Sequence, residues 1–173
     1  MNWKKFYVLI LLLFTFYFLN AQPAVEMQHL FASNGEALDR YGSAVDINEN
    51  YAAIGALTQD GIEENTGMVY LYKKNCNEWV EIKQITPDIP KEQSWFGGEL
   101  KMYGDYLFVG AHLDNEAKLY AGAVYIFHKD EGGPENWGQV AIITAPDAQK
   151  DDHFGTSICF DGENLIVGTS WAN

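Results

Sequence analysis

Cysteine and basic residues are scarce in this 173-residue sequence, with two cysteines and 11 Lys plus Arg against 24 Asp plus Glu. Two cysteines cannot build a disulfide framework, and no CxxC or Cys/His spacing suggests a zinc site. The shortage of cations leaves a net charge of −13 and no basic stripe to neutralise phosphates. Nucleic acid and anionic membrane surfaces are therefore excluded as expected partners. Charged residues make up only 20% of the chain while aromatics reach 14%, so apolar surface is sufficient to offset the entropy of ordering, and disorder is excluded too. No Asn-x-Ser/Thr sequon occurs, which tilts weakly towards a bacterial exported protein over a eukaryotic surface glycoprotein.

Long apolar runs are absent with one exception. Phe6 to Leu19 is a 14-residue stretch broken only by Thr15, and it follows Lys4 and Lys5. Residues 1–22 thus read as a secretory signal peptide, cleaved after Ala21. A membrane anchor is the competing reading, but such a run spans only about 21 Å of a hydrocarbon core of roughly 30 Å. Removing the segment leaves 9 basic against 24 acidic residues, a charge of −15, and no membrane insertion is expected after cleavage.

The remainder is a repeat. Tyr41-Gly42, Phe96-Gly97 and Phe154-Gly155 each precede a second glycine, Gly55, Gly110 and Gly168, whose offset from the first residue of the pair is always 14. Gly67 and Gly122 follow at an offset of 12, and Trp79 and Trp137 each lie 17 before the next aromatic-Gly pair. The periods are 55 and 58, and the three-residue difference falls in the segment HKDEGGPEN, between Tyr125 and Trp137. Four apolar runs recur per unit. The first alternates, with Tyr41, Ser43, Val45 and Ile47 on one face; the second is continuously apolar; the fourth is mixed. An all-β chain is expected: a β-propeller of four-stranded antiparallel blades, incomplete here at about two and a half blades. Its expected parts are a lone outer strand at 24–33, in phase with Val80, Glu81, Ile82 and Ile85, then blades at 41–86 and 96–144 and a truncated blade at 154–173. A ring needs at least four blades, so the remaining blades are expected from further sequence, and the isolated piece is expected to self-associate through its open edges.

This pattern resembles the FG-GAP repeat family, found in integrin α propellers and in exported bacterial proteins. Tyr41-Gly42, Phe96-Gly97 and Phe154-Gly155 match its "FG", and Ile54-Gly55-Ala56, Val109-Gly110-Ala111 and Val167-Gly168-Thr169 match its "GAP", with Leu57, His112 and Ser170 replacing the proline. Calcium-binding members carry an oxygen-rich loop between the first two strands. The corresponding connections here, Asn48-Glu49-Asn50, Tyr103-Gly104-Asp105 and Asp161-Gly162-Glu163, are too short to supply six or seven oxygens, so no calcium and no other cofactor is expected.

The resemblance implies that ligands meet the face formed by residues 57–66, 112–121, 87–95 and 145–153. Its candidate residues are Asp60, Glu63, Glu64, Asp114, Glu116, Asp151 and Asp152, with Trp95 and Tyr120 as aromatic anchors. Asp88, Glu92 and Asp147 add charge, opposed only by Lys91, Lys118 and Lys150. A wet polar surface accounts for the same composition. Trp79, Trp137, Tyr70 and Tyr125 read as packing residues; Asp46, Lys101 and Cys159 occupy equivalent places on innermost strands, where Glu99 is expected to pair with Lys101. The four histidines form no ligand pattern, and both cysteines are expected as free thiols. No nucleophile–base pair, GxSxG elbow or metal triad occurs. The expected role is a secreted or cell-surface binding and adhesion module for a protein or glycan, without catalysis of its own; the alternatives are the non-catalytic propeller of a larger secreted hydrolase and a structural spacer.

Overall fold

A computed structural model describes residues 28–61 and 63–171. The expected signal segment and the first residues of the expected lone strand lie outside the described residues. Ten strands and no helix occur among them: β1 (Tyr41–Ile47), β2 (Tyr51–Ala56), β3 (Met68–Asn75), β4 (Glu78–Ile85), β5 (Phe96–Tyr103), β6 (Tyr106–Ala111), β7 (Ala123–His128), β8 (Gly138–Ile143), β9 (Phe154–Phe160) and β10 (Leu165–Thr169). They form three antiparallel sheets in sequence order, β1 to β4, β5 to β8, and β9 with β10. This is the partial propeller of about two and a half blades that the repeat implied.

Burial follows the strand's place in its blade. Every residue of β2 is buried, and all of β6 except Tyr106, because each of these strands is covered on both faces; β4 and β8 alternate as outer strands do. The first strand of each blade opens with the same bulge, in which the aromatic-Gly pair takes up two extra residues, so the alternation keeps its phase. Its glycine is left-handed each time, with φ of +89° at Gly42, +86° at Gly97 and +94° at Gly155.

The second signature glycine has a different task. A Cβ on Gly55 would drive into the carbonyl oxygen of Gly97, and one on Gly110 into that of Gly155. Signature glycines from consecutive blades therefore meet, and this contact sets how closely the sheets approach. Around it the seam is stitched by backbone bonds, Phe96 N to Thr66 O at 2.9 Å and Phe154 N to Ala121 O at 2.7 Å.

The core lies in these seams. Between the first two blades Tyr51, Ala53, Val69, Leu71 and Ile85 pack against a face containing Phe96, Leu100, Met102, Val109, Tyr125 and Trp137. Between the second and third, Phe108 and Val124 meet Ile158, Phe160, Leu165 and Val167. Burying a side chain of this size contributes about 1.5–3 kcal/mol, so each seam outweighs any single polar contact across it. The remaining face of the first blade is covered by Leu30 and Ala32. Residues 28–33 form no ladder among the described residues, yet they stand on the first blade where 83–88 stand on the second. Ser33 N donates to Glu81 Oε2 at 3.3 Å, as Asp88 N donates to the equivalent Gln139 Oε1 at 3.1 Å.

Candidate functional site

The β2–β3, β6–β7, β4–β5 and β8–β9 connections gather on one face. Two are braced alike: Asp60 Oδ1 accepts the Asn65 amide at 2.8 Å, and Asn115 Oδ1 accepts the Tyr120 amide at 2.7 Å. Asn65 and Tyr120 are both left-handed, at φ +49° and +54°, a turn that a local side-chain acceptor stabilises. Asp60 thus shapes its own loop.

The nine candidate residues on this face divide by environment. Asp114 and Asp152 are buried. Asp114 accepts from the Tyr125 hydroxyl at 2.7 Å, the Glu116 amide at 2.6 Å and the Lys91 ammonium at 3.0 Å; Asp152 accepts the Gln149 amide at 2.6 Å. Burial alone would lower Lys91, but Glu116 and Asp114 hold it above the ordinary lysine range. Burial and Asp114 push the Tyr125 hydroxyl far up. Glu63, Glu64, Glu116 and Asp151 face solvent, with Glu116 also reached by Lys91 and Asp151 3.5 Å from Lys150. Glu63, Glu92, Asn115 and Tyr120 border a groove of about 640 Å³.

Trp95 does not stand alone. The Arg40 guanidinium lies 5.5 Å from its ring centre, His112 meets the same ring edge-on at 5.5 Å, His153 lies 6.1 Å from His112 and Trp171 6.0 Å from His153. Arg40, Trp95 and His153 each precede an aromatic-Gly pair and are left-handed, at φ +54°, +54° and +59°. The bulge therefore turns a side chain out at the same point of every blade. Trp171 is 68% exposed, so the row ends in open solvent. Burial, with a smaller push from His153, holds His112 below the ordinary imidazole value of 6.5. Sequence reasoning missed this row because His112 and His153 belong to different blade positions. The available signal was that the residue before one pair and the residue after the preceding "GA" sit in adjacent loops.

On the opposite face the longer β7–β8 connection reaches back to the first blade. Glu135 accepts from the Tyr51 hydroxyl and from Lys73, whose Nζ lies 2.7 Å from Oε2, while Lys129 pairs with Asp105 at 2.7 Å. These groups border a hollow of about 560 Å³. Lys73 and Tyr51 hold Glu135 below the usual carboxylate range. The β1–β2 turn is closed by its own residues, since Asn48 Oδ1 accepts the amides of Asn50 and Tyr51 at 3.0 and 2.8 Å.

On the innermost strands the expected Glu99–Lys101 pair is replaced. Lys101 Nζ instead lies 3.3 Å from Asp46 Oδ2 on the neighbouring blade, which also accepts the Met102 amide, and Glu99 accepts the Ile158 amide. Each side chain is drawn across a seam, where a partner is closer than along its own strand. Cys76 and Cys159 are free and exposed.

The profile of the FG-GAP repeat family matches residues 24–72, 79–127 and 137–173. No curated protein matches the chain.

Proposed function

The chain belongs to the FG-GAP repeat family, and from that premise we propose that it is a non-catalytic binding and adhesion module, exported through a cleaved signal peptide and presented outside the cell or on its surface. The observation that carries this reading is the row Arg40, Trp95, His112, His153 and Trp171, which crosses all three blades on the face where Glu63, Glu64, Glu116 and Asp151 also meet solvent. Arginine and tryptophan are the residue types that dominate binding energy at interfaces. Trp95, His112 and His153 are half-buried beside the blade seams, which limits the ordering entropy that opposes association. The partner is a protein or a glycan. Nucleic acid and membrane insertion are disfavoured by the acidic surface, and no calcium or other cofactor is required.

The test compares the chain with Trp95→Ala and Trp171→Ala variants on arrays of glycans and extracellular proteins. Ligands captured by the parent and lost by both variants support the reading. An array without hits, or hits that survive both changes, overturns it.

A further inference from the structure

The segment whose Leu30 and Ala32 cover the first blade runs into the only Asn-Gly step of the sequence, Asn34-Gly35. Both residues are exposed and lie outside every strand. At such a step the Gly35 amide nitrogen can attack the Asn34 side-chain carbonyl carbon and close a succinimide ring, because no Cβ on the glycine obstructs the approach.

The groups that this reaction uses are either free or assisted. The Gly35 N–H makes no hydrogen bond among the described residues, and neither does Asn34 Nδ2, the amine that would leave. The carbonyl oxygen, in contrast, is engaged: Asn34 Oδ1 lies 2.6 Å from the buried Tyr70 hydroxyl and accepts from Gln84 Nε2 at 2.9 Å. Negative charge collects on that oxygen as the ring closes, and donors already aimed at it lower the barrier. The two Asp-Gly steps are arranged differently. At Asp60-Gly61 the glycine amide is spent on Glu63 O at 3.2 Å, and Asp161 Oδ1 accepts the amides of Glu163 and Asn164 at 2.9 and 2.7 Å, which favours the ionised, unreactive carboxylate. One repeat after Asn34 stands Ile89, so the second blade has no counterpart.

We propose that Asn34-Gly35 is a site of spontaneous deamidation that converts the neutral Tyr70 network of the first blade into a charged one. Gly35 N bonds to Asn34 Cγ and gives its proton to water, the Cγ–Nδ2 bond breaks and ammonia leaves, and a water molecule then opens the ring at either carbonyl. The product is aspartate or isoaspartate at position 34. Aspartate there sets a carboxylate on Tyr70 as Asp114 is set on Tyr125, but without the lysine that Asp114 holds. It also stands beside Glu81, which already accepts from Ser33 and Gln84. Isoaspartate lengthens the backbone at the same point, so either product loosens the cover on the first blade. The change is slow, irreversible and independent of any ligand on the loop face.

The experiment ages the folded full chain at neutral and mildly alkaline pH and follows its peptides by mass spectrometry, with fragmentation that distinguishes isoaspartate from aspartate. Conversion at Asn34 ahead of every other asparagine is expected. Gln84→Ile, which installs the residue of the equivalent second-blade position, removes one donor and is expected to slow the conversion about tenfold, as is Tyr70→Phe should the first variant fold poorly. Melts of the aged chain fall below those of fresh chain, while Asn34→Gln aged alongside keeps its melting temperature. The same chain unfolded in urea gives the unassisted rate at this step. An intact Asn34 in the folded chain after the unfolded chain has converted, or a rate that neither donor variant changes, overturns the proposal.

Discussion

In the first blade the buried Tyr70 hydroxyl donates to the Gln59 carboxamide oxygen at 2.6 Å, with Asn34 Oδ1 at the same distance. In the second blade the equivalent Tyr125 donates to Asp114, a fully buried carboxylate that also holds Lys91 and the Glu116 amide. One repeat position thus serves the same fold through a neutral network in one unit and a charged one in the next. The difference teaches that the repeat constrains where a polar group is buried and leaves its charge to local partners. Tyr70 keeps a second neutral acceptor in Asn34 when one is lost, whereas a buried charge depends on every partner it has.

The comparison sharpens most where a blade meets a neighbour and where it does not. Gly55→Ala forces a Cβ into the Gly97 carbonyl and is expected to abolish cooperative folding, a loss above about 4 kcal/mol. Gly42→Ala, where nothing lies within 4 Å, has only the left-handed φ to oppose it and costs about 1–2 kcal/mol. Urea unfolding of both variants checks this, and equal costs would break the seam argument. Next in size, Asp114→Ala strands the buried Tyr125 hydroxyl, leaves Lys91 with Glu116 alone and is expected to cost about 3 kcal/mol. Gln59→Ala leaves Asn34 as acceptor for Tyr70 and costs about 1 kcal/mol in the same assay.

Smaller effects come with acid. Glu135 titrates below its ordinary 4.5 in the folded chain, so its tie to Lys73 and Tyr51 contributes stability above that pH and loses it as pH falls through the folded value. Glu135→Gln flattens this acid limb in a series of melts against pH. His112 also titrates below its ordinary 6.5, so the unfolded chain takes up the proton first and stability declines as pH drops from 6.5 towards the lowered value. His112→Asn removes that slope and leaves the Glu135 limb in place.

The blades were legible because period-two runs and constant offsets are local properties of the chain. Trp137 and Tyr125 were readable as packing residues for the same reason, and both are buried. What crosses a seam was harder to read. An offset of 55 says that Gly55 and Gly110 are equivalent, and is silent on Gly55 meeting Gly97. The same blindness turned Lys101 towards Glu99 instead of Asp46 and left the His112–His153 contact unseen. The offset of 55 likewise makes Val45 and Ile47 the equivalents of Leu100 and Met102. The first pair is 68% and 60% exposed and the second pair 5% and 4%, because only the second has a neighbouring blade against it among the described residues.

The meeting of Gly55 with Gly97, and of Gly110 with Gly155, also bears on how the chain acquires its structure. Each junction joins groups only a few dozen residues apart, and nothing in it waits for a distant segment. An all-β chain ordinarily folds slowly because its pairings are remote in sequence. Here a sheet can dock as soon as the first strand of its successor leaves the ribosome, so the order of synthesis and the order of assembly coincide.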